Sequence, residues 1–130
     1  MAYVINLEEA TLQNTHFRQV LYTSRYCQLV VMALQPGEDI GQEVHELDQF
    51  FRVESGSGEA VVDGVSHSLV DGSAVVVPAG TQHNIRNVSA DTVLKLYTIY
   101  APPEHKDGTV HATKADAQSA HEHFDGVVSK

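Results

Sequence analysis

Glycine-containing turns recur along this chain at short intervals, and that rhythm limits the fold more than any other feature. From Gln28 onward, short apolar runs are interrupted at Pro36-Gly37, Gly56-Ser57-Gly58, Asp63-Gly64, Asp71-Gly72 and Ala79-Gly80. Turns about 8–12 residues apart are the spacing of an all-β sandwich or barrel. The predicted strands cover residues 28–34, 43–45, 49–54, 59–62, 65–69, 74–77, 83–87 and 92–100. Asp63-Gly64 between two apolar runs is the sharpest hairpin signal, because a type I′ turn needs positive φ at both central residues.

The barrel is expected over residues 28–103. Residues 1–27 form an N-terminal flank with a short helix around Leu7 to Leu12 and an extra strand from Phe17 to Tyr22. Pro102-Pro103 ends the last strand. In the C-terminal extension, 104–130, Thr113-Lys114-Ala115-Asp116 reads as a capping box opening a short helix toward Phe124. A length of 130 residues allows one domain.

Seventeen acidic residues against eight Lys+Arg give a formal charge of −9. That sign opposes binding to phosphate backbones or anionic lipid, so nucleic acid and membranes are excluded as expected partners. The single cysteine, Cys27, cannot form an internal disulfide and is expected to be a small core hydrophobe. The N-terminus has no basic leader region, and the longest apolar run, Leu29 to Leu34, is far too short to span a bilayer. The expected location is cytoplasmic.

Eight histidines direct attention to metal-ligand spacing. Glu43, His45 and Gln49 share parity, and in extended backbone residues at i, i+2 and i+6 face one side, so three ligand-type side chains would project inward together. A carboxylate and an imidazole buried in a barrel are costly unless paired, and a metal ion satisfies both. The turn Pro78-Ala79-Gly80-Thr81-Gln82 delivers a fourth such side chain, His83. The alternatives are solvated strand-end residues for Glu43 and Gln49, and a core histidine bonded to a backbone carbonyl for His83.

In these motifs the chain resembles a small single-domain cupin. Gly37, five residues, Glu43-x-His45, three residues, Gln49, six residues and Gly56 keep the spacing of the first cupin motif; Gly72, Pro78, Gly80, His83 and Asn87 match the second. The resemblance implies a double-stranded β-helix, or jelly-roll barrel, with a divalent metal inside. Glu43 stands where the family has its first His, and Gln49 where it has Glu. The carboxylate thus changes position while the set keeps one charge and two imidazoles. Glu43, His45 and His83 make a two-histidine, one-carboxylate set suited to Fe, Mn, Zn or Ni, with Gln49 a weak fourth ligand or a hydrogen bonder behind it.

The other histidines carry less. His121 and His123, on a presumed helix, diverge by about 200° and cannot share an ion. His67 is expected to be exposed, and His16 has no partner that sequence identifies. His105 and His111 follow Pro102-Pro103 at the barrel rim, where a surface loop is the commoner setting but where His105 could also serve as a general base. In the last strand the charge-free parity Leu94, Leu96, Thr98, Tyr100 is placed inside, making Tyr100 a candidate acid near the metal, with a core aromatic as the alternative role. Phe51 and Val53 follow Gln49 inward, leaving Phe50, Arg52 and Glu54 outside. Phe50, Phe17 and Tyr22 on that outer surface suggest a homodimer. The expected function is metal-dependent action on a small oxygen-rich metabolite (a sugar derivative, hydroxy acid or keto acid) as an isomerase, lyase or dioxygenase. The alternative is a cupin that binds metal or metabolite without turnover.

Overall fold

A computed structural model describes residues 2–130. In chain order the elements are α1 (Leu7–Gln13), β1 (Arg18–Thr23), β2 (Gln28–Leu34), β3 (Asp48–Ser55), β4 (Gly58–Val62), β5 (Val65–Leu69), β6 (Ala74–Val77), β7 (His83–Arg86), β8 (Leu94–Ala101), β9 (Val110–His111) and α2 (Lys114–Ser119). They form a six-stranded sheet in the order β6-β3-β8-β2-β1-β9 and a three-stranded sheet in the order β5-β4-β7. The named strand pairs are antiparallel. The two sheets face each other across one core, the arrangement of a jelly roll.

Period-two alternation sets the core. Leu94, Leu96, Thr98 and Tyr100 are buried along β8, as their shared parity predicts, and pair with Leu34, Met32, Val30 and Gln28 of β2. Phe51 and Val53 come in from β3, and Ala60 and Ile85 close from the smaller sheet. Each large apolar side chain of this kind adds about 1.5–3 kcal/mol when taken out of water. β2 is apolar on both faces because α1 packs over the outside of the large sheet, against β2, β3 and β8, which buries Val31 and Ala33 as well. Gly56 turns β3 into β4 at φ +96°, and a Cβ there would sit 2.7 Å from the Val93 carbonyl, so only glycine fits.

Several expectations need correction. Residues 43–45 do not form a strand; Glu43 makes one bridge, to His83. Glu54 is buried, because a bulge between Val53 and Ser55 shifts the alternation and lets Arg52 reach it at 2.8 Å. Cys27 is exposed, beside the Ser24 hydroxyl at 3.2 Å. Phe17 belongs to the core, and Phe50 is half-buried against Tyr97, which weakens the outer aromatic patch behind the dimer expectation. The Thr113–Asp116 capping box is present, yet α2 stops at Ser119 with no buried side chain to extend it. His121 and His123 therefore lie on irregular chain, which folds back so that the Phe124 N–H donates to the Glu104 carbonyl at 2.9 Å. Among the described residues, no helix is long and apolar enough to cross a membrane.

Candidate metal and acid–base site

Backbone pairing joins the two motif halves. The Glu43 N–H donates to the His83 carbonyl at 2.8 Å and the His83 N–H to the Glu43 carbonyl at 3.0 Å, an exchanged pair that sets the two side chains next to each other. The Gly80 N–H donates to the His45 carbonyl at 2.8 Å, and the Asp48 carboxylate accepts the Ala79 N–H at 2.9 Å, so the turn before His83 is pinned to the segment carrying His45. Gln49 reaches the same region from β3, directly opposite Tyr100. The bridge and the pinned turn, rather than strand parity, bring these segments side by side.

The four side chains stand as two pairs. His45 Nε2 lies 3.0 Å from a Glu43 carboxylate oxygen, and its Nδ1 faces Glu104 at 3.3 Å. His83 Nδ1 donates to the Thr81 carbonyl at 3.0 Å, which leaves Nε2 with a lone pair 3.2 Å from Gln49 Oε1, while the Gln49 amide nitrogen donates to Thr98 Oγ1 at 3.0 Å. The imidazole centroids are 5.6 Å apart. The adjacent Glu43 carboxylate, and then Glu104, raise the His45 pKa above its ordinary value against the effect of burial. Burial favours the neutral acid at Glu43, but His45, Arg18 and His83 outweigh it and hold the carboxyl below its usual range.

These contacts bear on whether a divalent cation fits. His45 Nε2 is buried and makes no properly directed hydrogen bond, although the carboxylate is only 3.0 Å away. A carboxylate oxygen that close calls for a positive charge between the two atoms, which a proton on His45 or a cation in its place would supply. Ligands about 2.1 Å from one ion at right angles stand about 3.0 Å apart. Glu104 and the Thr81 carbonyl orient the far nitrogens of the two rings, the support that metal-bound histidines usually have. The donor chemistry thus fits. The pairs are not closed onto one point, however: among the described residues no group of three or more His, Cys, Asp or Glu side chains is arranged to hold a metal ion.

A second cluster adjoins the first and was largely invisible in the sequence. A cavity of about 270 Å³ is walled in part by Phe17, Arg18, Glu43, Glu104, His105 and Glu122. His105 and His111 are only 8% and 6% exposed, so neither is the rim residue expected. Gln28, fully buried, donates to the His105 carbonyl at 2.7 Å and accepts the His105 N–H at 3.0 Å, which fastens this loop to β2. His105 Nδ1 donates to Glu122 at 2.9 Å, so its Nε2 accepts from the Tyr100 hydroxyl at 3.3 Å. Burial pushes the Tyr100 phenol well above its ordinary pKa, so it keeps its proton at neutral pH. A wider cleft of about 450 Å³ between β5 and β6 holds His67 but no comparable cluster.

Arg18 Nη1 donates to His111 Nδ1 at 3.2 Å. Burial and the Arg18 charge lower the His111 pKa despite the nearby Glu122. A histidine with a folded pKa below 6.5 contributes stability that is complete above pH 6.5 and is lost as the pH falls through the folded value. His111 should therefore titrate below pH 6.5 in an imidazole ¹⁵N NMR titration, and His111→Gln should flatten the acid limb of the stability profile. Arg18, Gln28, Glu104 and Glu122 were not singled out from sequence. For Arg18 a signal existed: it is the one charged residue of its strand and shares the inward parity of Val20.

The model of the cupin domain matches residues 30–100, more than half of the chain. The chain belongs to the cupin family. This cupin is 48% identical over 125 residues to the protein YrkC of Bacillus subtilis (strain 168), covering 91% of this chain and 67% of that relative. It is 45% identical over 112 residues to protein L612 of Acanthamoeba polyphaga mimivirus, covering 83% and 70%. The crystal structure of BH2720 from Bacillus halodurans superposes with a TM-score of 0.89 at 45% identity, over 92% of the cupin and 96% of that chain.

Proposed function

We propose that this cupin is a metal-dependent enzyme that moves a proton on a small oxygen-rich metabolite, a sugar derivative or a hydroxy or keto acid, in an isomerase- or lyase-type reaction. The observation carrying this reading is the hydrogen-bonded chain Tyr100–His105–Glu122, which ends beside the His45 ring, 6.1 Å from that of Tyr100. Glu43, His45 and His83 would hold a divalent ion, with Gln49 beside them, and the ion would supply Lewis-acid polarisation of a substrate oxygen. Glu122 keeps the proton on His105 Nδ1, which fixes Nε2 as the atom that takes or returns the Tyr100 proton. Tyr100, held neutral by burial, shares that proton with His105 Nε2, and its ring lies against that of His45. The cavity lies below the usual 300–1,000 Å³ of drug-sized sites, which suits a small substrate.

Deuterium wash-in provides the test. Protein loaded in turn with Fe, Mn, Zn or Ni is incubated in D₂O with hydroxy acids, keto acids and sugar acids, and loss of the C–H signal next to the oxygenated carbon is followed by ¹H NMR. Protein-dependent exchange with at least one of these is the expected result; none, at one equivalent of bound metal, overturns the reading. In that case the second reading stands, a cupin that binds without turnover, favoured by a ligand set left as two unclosed pairs.

A further inference from the structure

Arg18 is the group whose surroundings the reaction does not explain. Only 7% exposed, it starts β1 and points its guanidinium into the cavity wall. Its partners are neutral: His111 Nδ1, the Tyr100 hydroxyl and the face of Phe17, 5.3 Å from ring centroid to guanidinium carbon. Nε is buried and has no hydrogen-bond partner. Among the described residues, no carboxylate lies within ion-pair distance of it, although every carboxylate lining the cavity has a cationic or imidazole partner: Glu43 with His45, Glu104 with His45 and His123, Glu122 with His105 and His111. The remaining cation, Lys114, is taken by Asp39. Burying a charge with no directly paired counter-charge costs several kcal/mol, since Glu43 acts on Arg18 only from beyond ion-pair distance, and an unused N–H adds to it.

We infer that Arg18 is the receptor for a carboxylate carried by the ligand of this cavity. The planar fork of a guanidinium matches the two oxygens of a carboxylate, whereas a phosphate dianion would meet three neighbouring glutamates in a small cavity. The ligand class thereby narrows to small monocarboxylates bearing a hydroxyl or keto oxygen, with the carboxylate at Arg18 and the other oxygen toward Glu43 and His45. This inference rests on taking the cavity as the substrate site, but the binding it requires does not depend on turnover or on metal.

The readout is the Arg18 Nε–Hε resonance in ¹⁵N-labelled full-length protein, assigned through bonds in the unaltered chain and confirmed by its loss in Arg18→Lys. Glycolate or pyruvate should shift it saturably, in metal-free and zinc-loaded protein alike. Glycolamide, which keeps the shape and loses the charge, should bind at least tenfold more weakly, as should glycolate to Arg18→Lys. Absence of any shift at about 100 mM glycolate overturns the inference, as does equal binding of glycolamide. A response to inorganic phosphate alone overturns it too. Carboxylate binding without exchange activity would leave Arg18 as the receptor and remove the enzyme reading, so the two fail separately.

Discussion

Replacing His45 and His83 together with alanine removes all stoichiometric metal from protein purified without chelator, measured by elemental analysis and by calorimetric titration of the metal-free chain. The two rings lie in different pairs, one facing Glu43 and the other Gln49. The double variant therefore leaves one carboxylate and one neutral amide, a set with no advantage over water for a borderline metal. Glu104→Gln should act more mildly: it keeps the ligands but weakens the hold on His45 Nδ1, and second-layer changes of this kind typically cost about 10–100-fold in affinity. Gln49→Glu should tighten the ion by adding a charge where the amide oxygen now stands. Because His83 is buried, circular dichroism must show that the double variant is folded. A folded double variant that retains one equivalent means the ion, if any, is held elsewhere.

Strand positions are legible in the sequence where two signals agree. At Val65–Leu69 and Ala74–Val77 a glycine turn on one side and an apolar run on the other leave little freedom, and the strands occupy the expected residues. Parity works for the same reason along β8, where one lysine in the odd set decides which face is buried. It fails at Glu54, since a bulge inserts one residue and reverses the alternation beyond it. Residues 43–45 show a different limit. Their spacing is right, but the segment is held by one exchanged pair of backbone bonds with His83 and one bond from Gly80, contacts that arise from the fold of a chain segment forty residues away. No local propensity encodes them.

The neighbourhood of Glu43, His45, Gln49 and His83 was readable because motif spacing survives even when residue types exchange, as at Glu43 and Gln49. The neighbouring acid–base cluster was not, because it is assembled from both flanks. Arg18 enters from β1, His111 from the short strand β9 paired beside it, and Glu122 from irregular chain after α2. Each is an ordinary polar residue in its own local context. What makes them a cluster is Gln28, which spends its amide on the backbone of Glu104 and His105 and so draws a loop that composition would leave on the surface into the barrel mouth.

Tyr100→Phe should lower the exchange rate by about 10²–10⁴-fold while leaving metal content unchanged, the range expected for losing a positioned proton donor. The hydroxyl is the one atom removed, and it contacts His105 Nε2 rather than any of the four metal-ligand candidates. Stability should fall by about 1–3 kcal/mol, since His105 Nε2 is left buried without its donor. Glu122→Gln probes the far end of the same chain. An amide can accept the His105 Nδ1–H through its oxygen but supplies no negative charge to balance a protonated ring, so the rate should drop with little change in KM. A purely structural Tyr100 would lose stability in the same way but would not lower kcat in metal-loaded, folded protein. Full exchange activity in Tyr100→Phe would place the proton on another group of the cavity wall, and His105, which lines it with Nε2 then freed of its donor, would be the acid–base residue to test.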